Sequence, residues 1–285
     1  MLASNFNIPQ DSLQTFTHHE IHPSMALGAS AHLISYPQNN AGGRNLIASK
    51  HVRQGMGFPL TSYRSRIDNK MIVLHYPNRP LVGSRISDYL LADKLSTGQN
   101  IVVAIAVYAG YNEDDAVLIN KGCADLGMLQ TSLFKMYDDY EKYDSKTQSS
   151  ETFYNPKYKL AKAQEQAETK KTLDKDNKDD LGQQFDYPEK LLPKDNYNYD
   201  NLDKYGFIKE GSYLTGDEVI IGKYLSYQGD SGQIEYKDSS TLVNKDGDDT
   251  VIDKVFTYTT NADGHRAVKI RTCQFQKMDI GDKLG

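Results

Sequence analysis

The most pronounced hydrophobic pattern in the chain is a continuous apolar run from Ile101 to Val107, followed by a shorter one from Ala116 to Ile119. Most residues of the first run are β-branched and a glycine follows it at Gly110, which is typical of a buried strand. Three consecutive carboxylates, Glu113 to Asp115, separate the two runs. The pattern therefore predicts a buried strand that leads into an acidic turn.

Two further regions have the pattern of strands. Met71 to Leu74 is a short apolar run. Val251 to Tyr258 and Arg266 to Cys273 flank a polar segment that contains Asp263-Gly264, and this pair favours the positive φ angles of a hairpin turn. We therefore predict a strand over the first run and an antiparallel hairpin over the other two.

The composition changes between about residues 141 and 200, where Lys, Asp, Gln and Asn dominate and strongly apolar residues are sparse. Such a segment lacks the apolar surface that offsets the entropy of ordering a chain. We predict a surface insertion, with a short solvated helix over Tyr158 to Lys171. Replacing about Gln148–Lys194 by a short linker is expected to leave the thermal stability nearly unchanged.

Charge and cysteine content narrow the functional classes. The chain has 285 residues, a net charge of −5 and a pI near 5.8, so it carries no global basic field for nucleic acid. Cys123 and Cys273 stand far apart, which fits a reducing compartment better than a disulfide framework or a zinc site. No apolar run is long enough to span a membrane. We expect a soluble intracellular chain of the cytoplasm, nucleus or a virion.

The acidic triplet is the strongest candidate for chemistry. Three neighbouring carboxylates repel one another unless a cation or solvent relieves them. Carboxylate oxygens are usual ligands of Mg²⁺, which commonly takes one or two of them and leaves its other positions to phosphates and water. From the residues alone, a solvated acidic turn and a Mg²⁺ site both remain open.

A second candidate is the segment around Arg44. Asn39 to Gly43 has turn chemistry with two glycines, Arg44 follows, and Leu46 to His51 is predicted to begin a helix. A glycine-rich loop with free amides, an arginine and a helix N-terminus can bind phosphate. Most arginines in such a position simply cap a turn, so this signal is weak by itself.

Several stretches resemble, in order, sequence blocks of the second-largest (β-type) subunit of multisubunit DNA-directed RNA polymerases. The sequence G-Y-N-E-D-D from Gly110 resembles the family's G-Y-N-x-E-D block, and H-P-S-M from His22 resembles its eukaryotic, archaeal and viral form. Further resembling stretches begin at Arg44, His75, Gly127, Leu202, Gly216 and Met278. The last block stops short at Gly285, so a central fragment of that subunit is expected. The eukaryote-like form of the blocks and the amino-acid composition suggest that the source is a large DNA virus.

The resemblance implies a mixed α/β (α+β), β-rich fold. Residues 1–19 would be the tail of a preceding element, and residues 20–131 the first part of the hybrid-binding core, an incomplete double-psi barrel region. Residues 132–273 would form a mainly β wall (flap) domain that contains the insertion at about 141–200. Residues 274–285 would return to the core, where the chain is truncated.

The resemblance also implies which residues act on the metal. Asp115 would lean towards a Mg²⁺ ion that arrives with the nucleotide, and so would be both a catalytic and a metal-directed residue. Asp114 stands where the family usually has Glu and is a second metal candidate. The family's permanent Mg²⁺ is held by an N-A-D-F-D-G-D motif of the largest subunit, which this chain lacks. The cofactor would therefore be shared with the largest subunit.

Four further residues receive roles by the same resemblance. Arg44 would bind the triphosphate of the incoming nucleotide. Arg53 and Gln54 would face the nascent strand. Lys283 would lie near the growing 3′ end, as a catalytic and nucleic-acid-binding residue.

The implied function is DNA-templated RNA synthesis by a nucleotidyltransferase complex, with the chain alone inactive. The implied partners are the largest (β′-type) subunit, the assembly subunits, the DNA template, the nascent RNA and nucleoside triphosphates, with no membrane. Two alternatives from other classes remain. One is an inactive nucleic-acid-binding or structural module derived from the polymerase. The other is an unrelated Mg²⁺-dependent phosphohydrolase built on Glu113, Asp114 and Asp115.

Overall fold

A computed structural model describes residues 18–157, 191–229, 232–243, 250–260 and 264–285. The helix predicted over Tyr158 to Lys171 and the turn residue Asp263 lie outside these ranges. The α-helices are α1 (Gly42–Gln54) and α2 (Lys121–Asp125), and the described residues also form short 3₁₀ turns at Pro23–Ala26, Ala31–Leu33, Pro37–Asn39 and Tyr63–Ser65. The strands are β1 (Lys70–Leu74), β2 (Thr131–Tyr140), β3 (Tyr143–Asp144), β4 (Ser149–Phe153), β5 (Tyr213–Leu214), β6 (Val219–Ile221), β7 (Lys223–Gln228), β8 (Ile234–Asp238), β9 (Thr241–Leu242), β10 (Thr250–Thr260) and β11 (Arg266–Gln276).

The chain divides into two compact units. The first contains the described residues up to 55 together with residues 77–102 and 283–285, and its regular element is α1. The second contains residues 56–76 and the described residues from 103 to 282, including all the strands and α2.

A five-stranded antiparallel sheet with the order β1-β2-β11-β10-β5 forms the centre of the second unit. The strand predicted over Met71 to Leu74 is confirmed as β1, in which Leu74 pairs with Thr131 of β2. The predicted hairpin is confirmed as β10 and β11. Gly264 has a φ of +82°, as the predicted turn requires.

The main hydrophobic core lies in the same unit. Its most deeply buried aliphatic side chains come from β6, β10 and β11: Val219, Ile220, Ile221, Ile252, Val268 and Ile270. In β11 the two residues of this core, Val268 and Ile270, are two positions apart, because successive side chains of a strand point to opposite faces of the sheet. A smaller cluster on Val73, Phe134 and Cys273 completes the packing of the sheet.

The prediction of a solvated insertion over residues 141–200 is wrong for its described ends. β3 and β4 lie within it, and β4 pairs with β7 in a four-stranded sheet of order β3-β4-β7-β8. Phe153 is only 3% exposed and packs in the main core, as does Tyr199 near the other end of the segment. A few well-placed aromatic residues bury substantial area even where the average composition is polar.

The prediction of a buried strand over Ile101 to Val107 is also wrong. The run is assigned to no strand and pairs with none of the described strands. Val102 and Ile105 are 99% and 100% exposed. An apolar run becomes a strand only where a neighbouring segment satisfies its backbone, and the described residues supply no such neighbour.

The described residues thus form a β-rich, mixed fold of antiparallel sheets with few helices, as expected in outline. None of the helices in the described part has the length and apolarity that crossing a bilayer requires.

Candidate functional site

The acidic triplet forms a tight turn on the surface of the second unit. The backbone N–H of Ala116 donates to the carbonyl of Glu113 at 3.0 Å. The two central residues, Asp114 and Asp115, have φ angles of +50° and +67°. A turn with positive φ at both centres is of the type I′ class, and Asp tolerates this backbone better than most residues. Both aspartates are exposed.

A second turn of the same kind comes directly before it. Tyr111 N–H donates to the carbonyl of Tyr108 at 3.0 Å, and Ala109 and Gly110 between them have φ angles of +50° and +76°. The acidic turn is therefore the second of two consecutive turns with left-handed backbone. Glycine at the second centre relieves part of the steric cost of this arrangement.

Asn112 joins the first turn to the end of the apolar run. Its Nδ2 donates to the carbonyl of Ala106 at 2.6 Å, and its Oδ1 accepts from the backbone N–H of Tyr108 at 3.1 Å. Asn112 had no predicted role. The signal for it is an asparagine beside a Gly-containing turn, because its short amide readily bonds to neighbouring backbone groups.

The acidic turn offers hard oxygen ligands. Glu113 lies close to Gly110, where an added Cβ would be 3.3 Å from its Oε1. None of the three carboxylates forms an ion pair within the described residues. Exposed carboxylates of this kind fit Mg²⁺, which needs only one or two of them. Within the part of the chain that the structure describes, no three His, Cys, Asp or Glu side chains come together as a group that could hold a metal ion.

Arg44 lies in the first turn of α1. The helix begins at Gly42, earlier than the predicted start near Leu46, because the carbonyl of Ala41 accepts from the N–H groups of both Arg44 and Asn45. Ala41 has no side chain that caps the helix. An added Cβ on Gly42 or Gly43 would meet nothing within 4 Å, so the two glycines leave this helix end open.

Asn45 fixes the approach to this helix end. Its Nδ2 donates to the carbonyl of Pro37 at 2.7 Å and so attaches α1 to the preceding single turn, Pro37–Asn39. An open helix N-terminus next to an exposed arginine can bind an anion, because the free backbone amides and the positively charged guanidinium both attract negative charge.

The other predicted site residues of the first unit are exposed. Arg53 and Gln54 are at the C-terminal end of α1, where Arg53 Nε donates to the carbonyl of Ser49 at 3.4 Å. Lys283 directly follows the turn Asp279–Asp282 and belongs to the same unit as α1. Beside it in sequence, an added Cβ on Gly285 would lie 3.3 Å from the ring of His51.

The predicted residues thus fall into two sets. Arg44, Arg53, Gln54 and Lys283 belong to the first unit, and Asp114 and Asp115 to the second. Within each unit they are exposed to solvent. Neither set is buried in the core of its own unit.

The family model described as RNA polymerase Rpb2, domain 6, matches residues 30–285. The chain is 33% identical over 277 residues to DNA-directed RNA polymerase II subunit RPB2 of Meyerozyma guilliermondii, covering 95% of this chain and 20% of that protein. It is 33% identical over 276 residues to DNA-directed RNA polymerase II subunit 2 of Arabidopsis thaliana, with 95% and 20% covered. With DNA-directed RNA polymerase subunit Rpo2 of Sulfolobus acidocaldarius, the identity is 27% over 282 residues, with 97% and 22% covered. The chain spans about a fifth of the length of these curated relatives.

Proposed function

Because the chain belongs to the RNA polymerase Rpb2, domain 6, family, we propose that it contributes to nucleotide addition and RNA–DNA hybrid binding in a multisubunit DNA-directed RNA polymerase. The observation that carries the proposal is the exposed turn that presents Asp114 and Asp115. Two aspartates with left-handed backbone are held in one tight reversal. Backbone strain of this kind is often found at functional sites.

In this proposal Asp115 is the metal-directed catalytic residue and Asp114 assists it. The ion would be Mg²⁺, shared with the largest subunit. The chemistry that such an ion supplies is electrostatic stabilisation of charge on phosphate oxygens. The chain's own contribution is a carboxylate that is already in place before the nucleotide arrives, so that little reorganisation is needed during the reaction.

Arg44 would bind the triphosphate of the incoming nucleotide. Arg44 lies in the first turn of α1, at its open N-terminus, and a cationic side chain and a helix N-terminus both favour an anion. The exposed Arg53 and Gln54 at the other end of the helix would contact the nascent strand. Lys283 would neutralise backbone phosphate near the growing 3′ end.

We further propose the domain organisation that the family resemblance implies. Residues 20–131 and 274–285 would belong to the hybrid-binding core with its double-psi barrel. Residues 132–273 would form the wall domain. The partners would be the largest subunit, the assembly subunits, template DNA, nascent RNA and nucleoside triphosphates, and the chain alone would be inactive.

The alternatives receive less support. A phosphohydrolase built on Glu113, Asp114 and Asp115 needs further carboxylates or histidines beside them, and the described residues bring no such group together. The inactive module differs from the proposed function only in activity, and it is therefore distinguished by the same experiment.

The test is single-nucleotide extension on a template–primer scaffold by the polymerase complex that contains this chain. Asp115→Ala is expected to slow addition and to raise the Mg²⁺ concentration needed for half-maximal rate by about ten-fold or more. Arg44→Ala is expected to raise the apparent KM for nucleotide with less effect on the Mg²⁺ requirement, because it binds the triphosphate before and during the reaction.

Asp125→Ala and Lys121→Ala serve as controls, because they remove exposed charges of α2 outside the proposed site. Extension by Asp115→Ala at the wild-type rate at every Mg²⁺ concentration would remove the metal role of this residue. A wild-type complex that assembles on the scaffold but does not extend it would favour the inactive module.

A further inference from the structure

We propose that Asn112 is a positioning residue that holds the acidic turn in the geometry Asp115 needs. This inference rests on the proposed function, because it assigns Asn112 a role that acts through the metal-directed carboxylate. Asn112 itself directs its amide at the backbone, so it has no direct contact with the reacting groups in this role.

Both ends of the Asn112 amide are used. Nδ2 donates to the carbonyl of Ala106 at 2.6 Å, and Oδ1 accepts from the N–H of Tyr108 at 3.1 Å. These two backbone groups belong to a segment that is assigned to no strand and pairs with none of the described strands. The side chain therefore makes the pair of hydrogen bonds that a neighbouring strand would otherwise make.

Asn112 is well placed to transmit this constraint. It lies between the turn centred on Ala109 and Gly110 and the turn centred on Asp114 and Asp115, and all four of these residues have positive φ. Left-handed turns made of non-glycine residues persist only where their surroundings over-determine them. The amide fixes where the first turn starts and ends, and so it fixes where the second turn begins.

The residue type is specific to this task. An asparagine amide has a donor and an acceptor on one short planar group. Aspartate lacks the donor for the Ala106 carbonyl, and serine is too short to reach both groups. Without the brace, Asp115 keeps its carboxylate but spends less time in the productive position. A small displacement of a positioned group is enough to slow a reaction substantially.

The expected signature is a raised Mg²⁺ requirement that excess Mg²⁺ relieves. In the polymerase complex, Asn112→Ala should raise the Mg²⁺ concentration for half-maximal rate about five-fold, the size expected for losing one or two net hydrogen bonds. At saturating Mg²⁺ the rate should recover most of its wild-type value, because Asp115 is intact. The KM for nucleotide should not change.

Asn120→Ala is the matched control. Asn120 lies eight positions further along the same segment and also uses its side chain on the backbone, since Oδ1 accepts from the N–H of Cys123 at 3.1 Å and caps α2. It makes no contact with the acidic turn in this role, so its loss should leave the Mg²⁺ requirement unchanged. Asn112→Ser is a second variant, which keeps a polar side chain. Because serine is too short to reach both backbone groups, it should show the same shift as Asn112→Ala.

The possible results separate the two proposals. A raised requirement in Asp115→Ala with an unchanged one in Asn112→Ala overturns the positioning role and leaves the proposed function standing. An unchanged requirement in both overturns the metal role of Asp115 and the positioning role with it. A rate loss in Asn112→Ala that Mg²⁺ does not relieve marks a purely structural residue and also overturns the proposal.

A measurement on the chain itself does not depend on assembly. The amide hydrogen of Tyr108 should exchange with solvent about five-fold faster in Asn112→Ala than in the wild type, as followed by NMR. The amide of Cys123 should show that change only in Asn120→Ala. Equal exchange at Tyr108 in wild type and Asn112→Ala would mean that the brace is absent in solution, which overturns the proposal.

Discussion

Lys223 Nζ lies 2.9 Å from Asp139 Oδ1, although the two residues are 84 positions apart in the chain. The contact joins β7 of the four-stranded sheet to β2 of the five-stranded sheet. Lys223 Nζ also lies 2.8 Å from Glu151 Oε2, so one buried ammonium group bridges two carboxylates. Thr241 Oγ1 donates to the other oxygen of Asp139 at 3.0 Å.

Because Lys223 bridges two carboxylates, removing its ammonium group is expected to lower the free energy of unfolding substantially. Lys223→Ala leaves two largely buried carboxylates without a counter-charge, which is expected to lower the free energy of unfolding by about 3–5 kcal/mol. Urea unfolding followed by tyrosine fluorescence and circular dichroism measures this, since the chain has 20 Tyr and no Trp. Lys237→Ala, at an exposed site on β8, is the control and should change the value by less than about 0.5 kcal/mol. Similar small losses in both variants would contradict the bridging role.

The environment of the Glu218 carboxyl predicts how the stability of the fold depends on pH. Burial raises the pKa of its carboxyl, but hydrogen bonds from Thr215 and Gly216 outweigh burial and hold that pKa below its ordinary value of 4.5. A carboxyl with a lowered folded-state pKa stabilises the protein above its unfolded-state pKa and loses that contribution as pH falls through the folded-state value.

Glu218→Gln should therefore be less stable than the wild type by about 1.5–3 kcal/mol at neutral pH. The difference should shrink as the pH falls below about 4.5. Unfolding free energies of both proteins across this range provide the measurement, with the exposed Glu20→Gln as control. A difference that grows on acidification would have the wrong sign for this assignment.

The two cysteines should react at very different rates. Cys123 is exposed on α2, whereas Cys273 is 9% exposed within β11. Burial raises the pKa of the Cys273 thiol, so fewer thiolates are available there. Iodoacetamide should modify Cys123 in the native chain and Cys273 only after unfolding, as peptide mapping by mass spectrometry would show. Rapid native labelling that persists in Cys123→Ser would contradict the burial of Cys273.

The polar segment should tolerate replacement only in its middle. Replacing residues 148–194 removes Phe153, Tyr154 and Leu191, all buried, and should cost more than about 2 kcal/mol of unfolding free energy. Replacing residues 158–190 alone by a Gly/Ser segment of equal length leaves these side chains in place and should change stability little. Thermal and urea unfolding compare the two variants. Equal losses would show that the apolar residues at the ends do not account for the difference.

Local pattern was sufficient for several elements. The apolar run Met71–Leu74 and the Asp-Gly hairpin signal predicted β1 and the β10–β11 pair, because strand periodicity and turn chemistry are properties of adjacent residues. The glycine-rich stretch before Arg44 predicted the helix start within a few residues. The acidic triplet predicted an acidic turn, which the structure shows as an exposed turn, whereas its proposed metal role came from the family resemblance.

The pattern of neighbouring residues could not predict which distant segments of the chain pair or pack together. Ile101 to Val107 reads as a buried strand, yet its backbone has no pairing partner in the described residues and its side chains are exposed. Conversely, Phe153 and Tyr199 come from a polar segment and pack in the core. Whether a side chain is buried depends on which distant segment packs against it, and the average composition of a segment does not predict this.

By itself, the sequence determined the family, through blocks in a fixed order, together with the elements that depend on neighbouring residues and the chemical types at the acidic turn and at Arg44. Only the tertiary structure decided that Asn112 bonds to the backbone of Ala106 and Tyr108 and that Lys223 bridges Asp139 and Glu151. The physical reason is that hydrogen bonds and ion pairs depend on distances of about 3 Å between particular atoms. The folded backbone sets those distances, whether the residues are four positions apart or 84.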